Sequence, residues 1–391
     1  MPLVDMRDLL AHARRHRYAV GAFDLVGLEF LEGILRGAER AAAPLILSVA
    51  ESHFRHFDPE LALAACVVAA RRSPLPVAIH LDHGTDLEAV RRGIAHGCNG
   101  VMLDASHLPF ADNVAHTRAA VELAHACGVP VEGELGYVAG VEGEDAELHP
   151  GEIRYTEPDE ARRFVEATGV DFLAVSVGTV HGRLRGTPRL DLDRLAAIDR
   201  ALGIPLVIHG GTGLAPEQYR ALAERGVAKI NYFTALADAA AATVRERAAE
   251  AEAGWLVLHR EVREAIATET ERACRMFGAA GRAAEALAAC RPWREVMHLV
   301  LYRPRPGIAE AELAAMADEG RRRLAEVPGV REVFHGRRIA GRDDYPFGWV
   351  VRFAAPAVID TYRHHPVHVA FADGRFRPLA PERLSLDLET W

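Results

Sequence analysis

The chain has 391 residues, half of them hydrophobic and 26% charged, the make-up of a globular protein with more than one domain rather than a disordered one. Its formal charge is −9, with arginine and glutamate interspersed, so there is no basic stripe to hold nucleic acid, although a local cluster of donors could still bind an anion. Cys66, Cys98, Cys127, Cys274 and Cys290 form no CxxC pair and are odd in number, which argues against a disulfide framework and fits a reducing cytoplasm; no apolar run reaches membrane-spanning length, and the first twenty residues lack the apolar centre of a signal peptide.

From residue 18 to 231, short β-rich runs alternate with amphipathic helical stretches. Strands are expected at 18–23, 45–50, 77–81, 100–103, 129–133, 172–177, 206–208 and 228–230. They are rich in Val, Ile and Leu, as parallel strands buried on both faces should be. The intervening stretches, such as 86–96 and 113–127, carry apolar residues at helical spacing. Eight strand–helix alternations in under 300 residues predict a TIM (β/α)8 barrel. The rival, an open doubly wound sheet, carries a glycine fingerprint after its first strand, whereas here that strand runs into Asp24, Leu25, Val26 and Gly27. Helical, Ala/Glu/Arg-rich segments follow to about residue 289. After a linker at 291–293, strands at 298–302, 330–335, 348–353 and 384–388 and helices at 310–326 and 356–364 spell β-α-β-β-α-β, a small α+β ferredoxin-like domain. The expected domains are 1–288 and 294–391.

The polar residues that look like chemistry cluster at the predicted strand ends, where barrels of this type hold their active sites. His83, His181 and His209 follow three different strands. Three imidazoles with a fourth position open describe a catalytic zinc site; any one of them alone reads more readily as a surface or hydrogen-bonded loop histidine, and the strand-end position shared by all three reverses that for the set. Gly182 follows one of them, and Gly210, Gly211 and Thr212 follow another. Successive backbone N–H groups can form an anion nest, and barrels often bind phosphate after strands seven and eight, where Asn231 and Thr234 also fall. The same glycines could equally make only a tight turn.

Six segments, IHLDHG, VMLDASHLPFADN, GELGYVAGVEGE, VGTVHG, LVIHGGTGL and KINYFTAL, occur in the order of the motifs of the class II, zinc-dependent fructose- and tagatose-bisphosphate aldolases, and residues 1–288 resemble that family. The resemblance implies that His83, His181 and His209 bind Zn2+, with Asp104 and Glu134 as carboxylates near the metal. It implies that Asp82 handles the hydroxyl proton at the bond made or broken, and that Glu142 moves the proton on the enediol carbon. Gly182, Gly210, Gly211, Thr212, Asn231 and Thr234 would form the phosphate pocket, with the carbonyls of Gly182 and Gly210 holding a monovalent cation (Na+ or K+). The implied reaction joins a dihydroxyacetone phosphate-like donor to an aldehyde, or cleaves the product, through a metal-stabilised enediolate. Lys229 is predicted inside the eighth strand rather than past its end, against a Schiff-base mechanism.

Asp24 stands where the family usually has Asn, Ala50 where it has Ser or Thr, and Tyr232 and Phe233 where it has small or acidic residues. These departures point to a non-standard acceptor. The alternatives are an ordinary fructose- or tagatose-bisphosphate aldolase and a non-catalytic sugar-phosphate-binding protein. Residues 294–391 resemble the stress-responsive dimeric A/B-barrel (Dabb) family through HLVLYRPRPG, VPGV and YRHHPVHVAF. That resemblance implies dimerisation, hence a homodimer or homotetramer, and a second site at Tyr362 and His368, which match the Tyr and His of polyketide-cyclising members. The overall expectation is a cytoplasmic carbon–carbon lyase acting on small phosphorylated sugars.

Overall fold

The computed structural model describes residues 2–138, 154–182, 189–248, 250, 254–340 and 344–389. The chain divides into two compact units, one of Met1–Val90, Cys98–Val121 and Pro130–Pro292, the other of Arg91–Gly97, Glu122–Val129 and Trp293–Trp391.

In the first unit a helix, α1 (Met6–Arg15), precedes eight strands: β1 (Val20–Asp24), β2 (Leu45–Ala50), β3 (Val77–Gly84), β4 (Gly100–Leu103), β5 (Val131–Leu135), β6 (Phe172–Val175), β7 (Leu206–Ile208) and β8 (Val227–Tyr232). They close into a barrel in sequence order, every neighbouring pair parallel and β8 returning to β1. The helices between and after them are α2 (Leu28–Ala41), α3 (Pro59–Arg72), α4 (Leu87–His96), α5 (Phe110–Ala126), α6 (Pro158–Thr168), α7 (Leu192–Leu202), α8 (Pro216–Ala223), α9 (Thr234–Arg247), α10 (Trp255–Met276) and α11 (Ala283–Ala289). Their ends are set by local chemistry. Asp58 caps α3 by accepting from the amides of Glu60 and Leu61, with Pro59 in the first turn, where its missing N–H costs nothing. The barrel strands are almost wholly buried, as a two-sided apolar environment requires.

Four of the strand ends that differ from the sequence pattern bear on the site. β5 starts at Val131 because Pro130 has no amide for the ladder, so it carries both Glu132 and Glu134. β6 stops at Val175 because the amide of Ser176 bonds to Thr156 Oγ1 (2.8 Å) instead of a neighbouring strand; His181 therefore arrives on a loop. β3 and β8 run on past the apolar residues, to Gly84 and Tyr232, so His83 and Asn231 lie inside strands.

The second unit carries a four-stranded antiparallel sheet, β9 (Val296–Arg303), β10 (Val330–Arg337), β11 (Phe347–Phe353) and β12 (Glu382–Glu389), in the order β10-β11-β9-β12. With α12 (Glu310–Leu324) after β9 and helices after β11, this is the expected ferredoxin-like chain path. The single helix expected at 356–364 is followed by more. Pro366 cannot continue α13 (Val358–His364) and instead opens α14 (Pro366–Phe371), with His365 Nδ1 accepting from the amide of Val367. One π-helical turn (Ala372–Phe376) then leads to α15 (Arg377–Leu379). No helix among the described residues is long and apolar enough to cross a membrane.

Candidate active site on the barrel rim

Side chains two apart on a strand share a face, and that alternation turns a set of polar residues into the barrel. His80 and Asp82 of β3, Glu132 and Glu134 of β5, and Lys229 and Asn231 of β8 meet there, together with His209, one residue past β7. Lys229 Nζ donates to Glu132 Oε2 at 2.8 Å. Glu132 Oε1 lies 2.9 Å from His209 Nε2, and Asn231 Nδ2 donates to both oxygens of Asp82 at 3.0 and 2.9 Å. All these side chains are buried.

Above this layer His83, His181 and His209 come together, each offering a nitrogen within 4.8 Å of the others. Every ring is held by its second nitrogen. His83 Nδ1 lies 2.7 Å from Asp104 Oδ2, His181 Nδ1 bonds the Val138 carbonyl at 3.1 Å, and His209 Nε2 faces Glu132. The nitrogens that would then coordinate are His83 Nε2, His181 Nε2 and His209 Nδ1, a donor set that fits a divalent metal oriented by outer carboxylates. Glu134 Oε2 lies 3.0 Å from His209 Nδ1, and Asp104 and Glu134 form a second candidate ligand group with His83. His83 is in the left-handed region (φ 46°), a conformation a non-glycine residue keeps only when its surroundings enforce it; here the Asp104 bond does so.

The electrostatics agree with a cation at this point. With the imidazoles neutral, as metal ligands are, Asp82, Asp104, Glu132 and Glu134 carry four formal negative charges against the one positive charge of Lys229, a net −3. Burial alone would raise the Asp82 carboxyl, but the charges of His83 and Lys229 outweigh it and hold it well below the usual carboxylate range. Burial is likewise outweighed at Glu132 by Lys229 and His209, which bring it to about 2. It opposes the charge on His209 too, but Glu134 and Glu132 raise that imidazole to about 9. His83 is raised well above the ordinary value by Asp82 and Asp104 against its burial. His181 is lowered to about 3 by burial and by the other two rings.

Gly210 (φ 63°) packs so closely that a Cβ would fall 2.0 Å from the Val180 carbonyl oxygen, and one on Gly211 would meet Ile230 and the Asn231 carbonyl. The loop after β7 is thus locked against its neighbours by glycine. Thr212 Oγ1 accepts from the Ala235 amide at 3.4 Å, and buried Thr234 opens α9, so both threonines sit at the rim beside Gly210, Gly211 and Gly182. The Asn231 amide nitrogen is committed to Asp82 rather than to this loop. Glu142 lies outside the described residues.

Of the departures from the family pattern, Asp24 is buried at the end of β1, and Ala50 ends β2 in register with Asp82. Phe233 is in tilted ring contact with His53, centroids 4.5 Å apart, and lies 6.0 Å from Phe30. Tyr232 belongs elsewhere: its ring packs against Phe23 and Phe277 and its hydroxyl donates to Glu269 at 2.6 Å, so it faces the surrounding helices and not the acceptor side. Sequence reasoning passed over Glu132, His80 and His53. The first two were legible, because each stands two residues before a recognised site residue on the same strand face; His53 follows β2 in a single 3₁₀ turn with no motif to flag it.

In the second unit, Tyr362 and His368 are in ring contact (4.3 Å). They line a cavity of about 310 Å³ with His298, Asp387 and Arg383 among its other walls. His298 Nδ1 lies 2.7 Å from Asp387 Oδ1. Burial raises the Tyr362 hydroxyl and lowers His368.

A closed parallel barrel with a histidine and carboxylate cluster at the carboxyl ends of its strands belongs to the barrel enzymes. The family model for class-II fructose-bisphosphate aldolase matches residues 4–282, and the chain belongs to that family of carbon–carbon lyases. The "Probable fructose-bisphosphate aldolase" of Bacillus subtilis (strain 168) is 43% identical over 249 residues, 63% of this chain and 86% of the relative. The fructose-bisphosphate aldolase of Staphylococcus aureus (strain Mu50) is 41% identical over the same shares. The crystal structure of the YdjI aldolase from Escherichia coli K12 superposes with a TM-score of 0.65 at 34% identity, covering 72% of this chain and 99% of that one. Residues 296–390 carry a stress responsive A/B barrel domain.

Two outcomes are expected at this cluster. Glu132→Gln removes the charge that Lys229 and His209 share, so divalent metal affinity falls 10- to 100-fold (a magnitude of about that order for an outer-shell carboxylate), read by competition with a chromogenic chelator. In protein stripped of metal, His83 and His209 hold protons at pH 7, and a coordinating nitrogen must shed its proton. Uptake of a divalent metal then releases protons at pH 7, and affinity climbs as the pH rises towards about 9, where His209 loses its own proton; calorimetry in buffers of different ionisation enthalpy counts those protons.

Proposed function

We propose that the barrel is a zinc-dependent aldolase joining a dihydroxyacetone phosphate-like donor to an aldehyde other than the usual triose phosphate, or cleaving the product. The observation that carries this reading is the convergence of His83, His181 and His209 beside the ionised Asp82, with each imidazole pinned through its other nitrogen. A three-imidazole set suits zinc. Bound there, the ion supplies the Lewis acidity that favours an enediolate next to a polarised carbonyl. Asp104 and Glu134 would tune that centre or hold a second ion.

The chain's own groups handle the protons. Glu142 takes the proton from the donor carbon next to the carbonyl, the resulting enediolate carbon attacks the aldehyde carbon, and the aldehyde oxygen becomes an alkoxide that takes a proton from the carboxyl of Asp82, leaving the carboxylate. In cleavage the same events run backwards, and Asp82, held ionised by His83 and Lys229, accepts the hydroxyl proton. The Asn231 amide fixes that carboxylate from one side. The donor phosphate would lie against Gly211, Thr212 and Thr234, at the start of α9, where backbone amides and the helix dipole favour an anion. The Gly182 and Gly210 carbonyls would hold a monovalent cation. Lys229 is spent on Glu132 inside the barrel, which agrees with a mechanism free of a Schiff base.

Dihydroxyacetone phosphate kept in D2O with the zinc-loaded protein should lose one carbon-bound proton signal. Chelation should stop that exchange, and Glu142→Ala should slow it by 10²- to 10⁴-fold, about the range for a positioned acid or base. Binding without exchange would instead favour a non-catalytic sugar-phosphate-binding protein.

A second reading concerns the small domain. Dimerisation is its simplest role and would make the protein a homodimer or homotetramer. The cavity lined by Tyr362, His368 and the His298–Asp387 pair favours a further acid–base site, because a carboxylate on Nδ1 leaves the other imidazole nitrogen as base. On that reading His368→Ala changes the products obtained from a given donor and aldehyde, seen by chromatography. The same products in the same ratio would leave dimerisation as the domain's role.

A further inference from the structure

His53 is a buried polar group with nothing to bond to. It is 5% exposed, and neither Nδ1 nor Nε2 has a hydrogen-bond partner among the described residues. Buried polar atoms are nearly always paired, and each exception calls for an explanation. The ring is held in place by other means. It ends the 3₁₀ turn Glu51–His53, whose first residue is tied to the loop after β3 through the Thr85 amide donating to Glu51 Oε2 at 2.5 Å. Its ring meets that of Phe233 at a tilt of 43°, centroids 4.5 Å apart, and Phe30 lies beyond Phe233 at 6.0 Å. The charges of Asp82 and His83 are felt at His53, so it stands on the rim of the same cluster. A ring fixed so firmly, with both nitrogens unsatisfied, is prepared for a ligand rather than for the fold.

We infer that His53 receives the acceptor aldehyde, hydrogen-bonding a hydroxyl or carbonyl oxygen of an unphosphorylated hydroxyaldehyde whose carbon body packs on Phe233. The inference rests on the aldolase reading of the barrel. Burial lowers the imidazole to about 4, so at neutral pH it offers one N–H donor and one nitrogen acceptor and no positive charge. That pair of functions matches a hydroxyl group, which both donates and accepts. It is a poor match for a phosphate, which needs cationic or multiple donors. Ala50, in register with Asp82, brings no hydroxyl to the same end of the site, and Phe233 with Phe30 makes the neighbouring wall apolar. A site built to hydrogen-bond a substrate hydroxyl discriminates strongly against analogues that lack it.

The test compares glyceraldehyde, its 3-phosphate and propanal as acceptors, alongside exchange of the donor proton in D2O, for the zinc-loaded wild type, His53→Ala and His53→Gln. The wild type is expected to prefer glyceraldehyde over both others. In His53→Ala, kcat/KM for glyceraldehyde should fall at least tenfold further than the donor exchange rate does, mostly through KM, while propanal is little affected. His53→Gln, whose amide also donates and accepts, should recover most of the loss. Glyceraldehyde and propanal used equally by wild type and His53→Ala, with donor exchange present, would overturn the assignment of His53 alone. Absence of donor exchange in the wild type would sink the aldolase reading, and the assignment with it.

Discussion

Glu132 is the hinge of this molecule's chemistry. Its carboxylate lies inside a parallel barrel, without exposure, between the ammonium of Lys229 and the imidazole of His209. Two charges withdrawn from water repay their desolvation only when geometry and hydrogen bonding are good, and removing one partner of such a pair typically costs about 3–5 kcal/mol. Lys229 therefore does two things at once. It makes the burial of Glu132 tolerable, and it keeps that carboxylate ionised, so that His209 is held by a charge and turns Nδ1 towards His83 and His181. The rim inherits its order from this pair below it, and the outer carboxylates Asp104 and Glu134 extend the same arrangement.

The constraint also explains the division of labour around the barrel. Parallel strands place alternate residues on the inside, so β3, β5 and β8 each contribute two polar side chains one above the other: His80 and Asp82, Glu132 and Glu134, Lys229 and Asn231. The lower members neutralise and orient, and the upper members lie nearer the carboxyl ends of the strands. Loops add what strands cannot, namely His181, the glycine-locked segment after β7, and His53. On the proposed reading the acceptor would meet the last of these, beside the aromatic rings of Phe233 and Phe30.

Much of this was legible in the sequence. The eight strands follow from short β-branched runs at regular intervals, and the small domain's β-α-β-β-α-β order from the same kind of pattern. Placing His83, His209 and Asp82 needed only the rule that barrel chemistry sits at strand ends. What could not be read was set by partners distant in sequence. Strand β6 stops two residues early because the Ser176 amide is taken by the Thr156 hydroxyl, and no local pattern announces that. Tyr232 turned out to face the helices, since the strand continues past Asn231 and the alternation of faces carries it outwards. The side chain of Asn231 is drawn to Asp82 across the barrel. In the small domain the helix read at 356–364 is found as α13, but Pro366 opens a further helix after it, which a proline at a first-turn position could have signalled. Glu132 shows the other kind of miss, a residue whose place was implied by its two-residue spacing from Glu134 but whose role depends on Lys229, nearly a hundred residues away.

The central claim is that Glu132, Asp104 and the Val138 carbonyl hold three imidazoles ready for one metal ion. X-ray absorption at the zinc edge of the loaded protein tests it most directly. The account predicts a first shell dominated by nitrogen at about 2.0–2.1 Å, with the multiple-scattering signature of three imidazoles, one of which is lost in His209→Ala. A shell built mainly from carboxylate oxygens, with at most one imidazole, would contradict it.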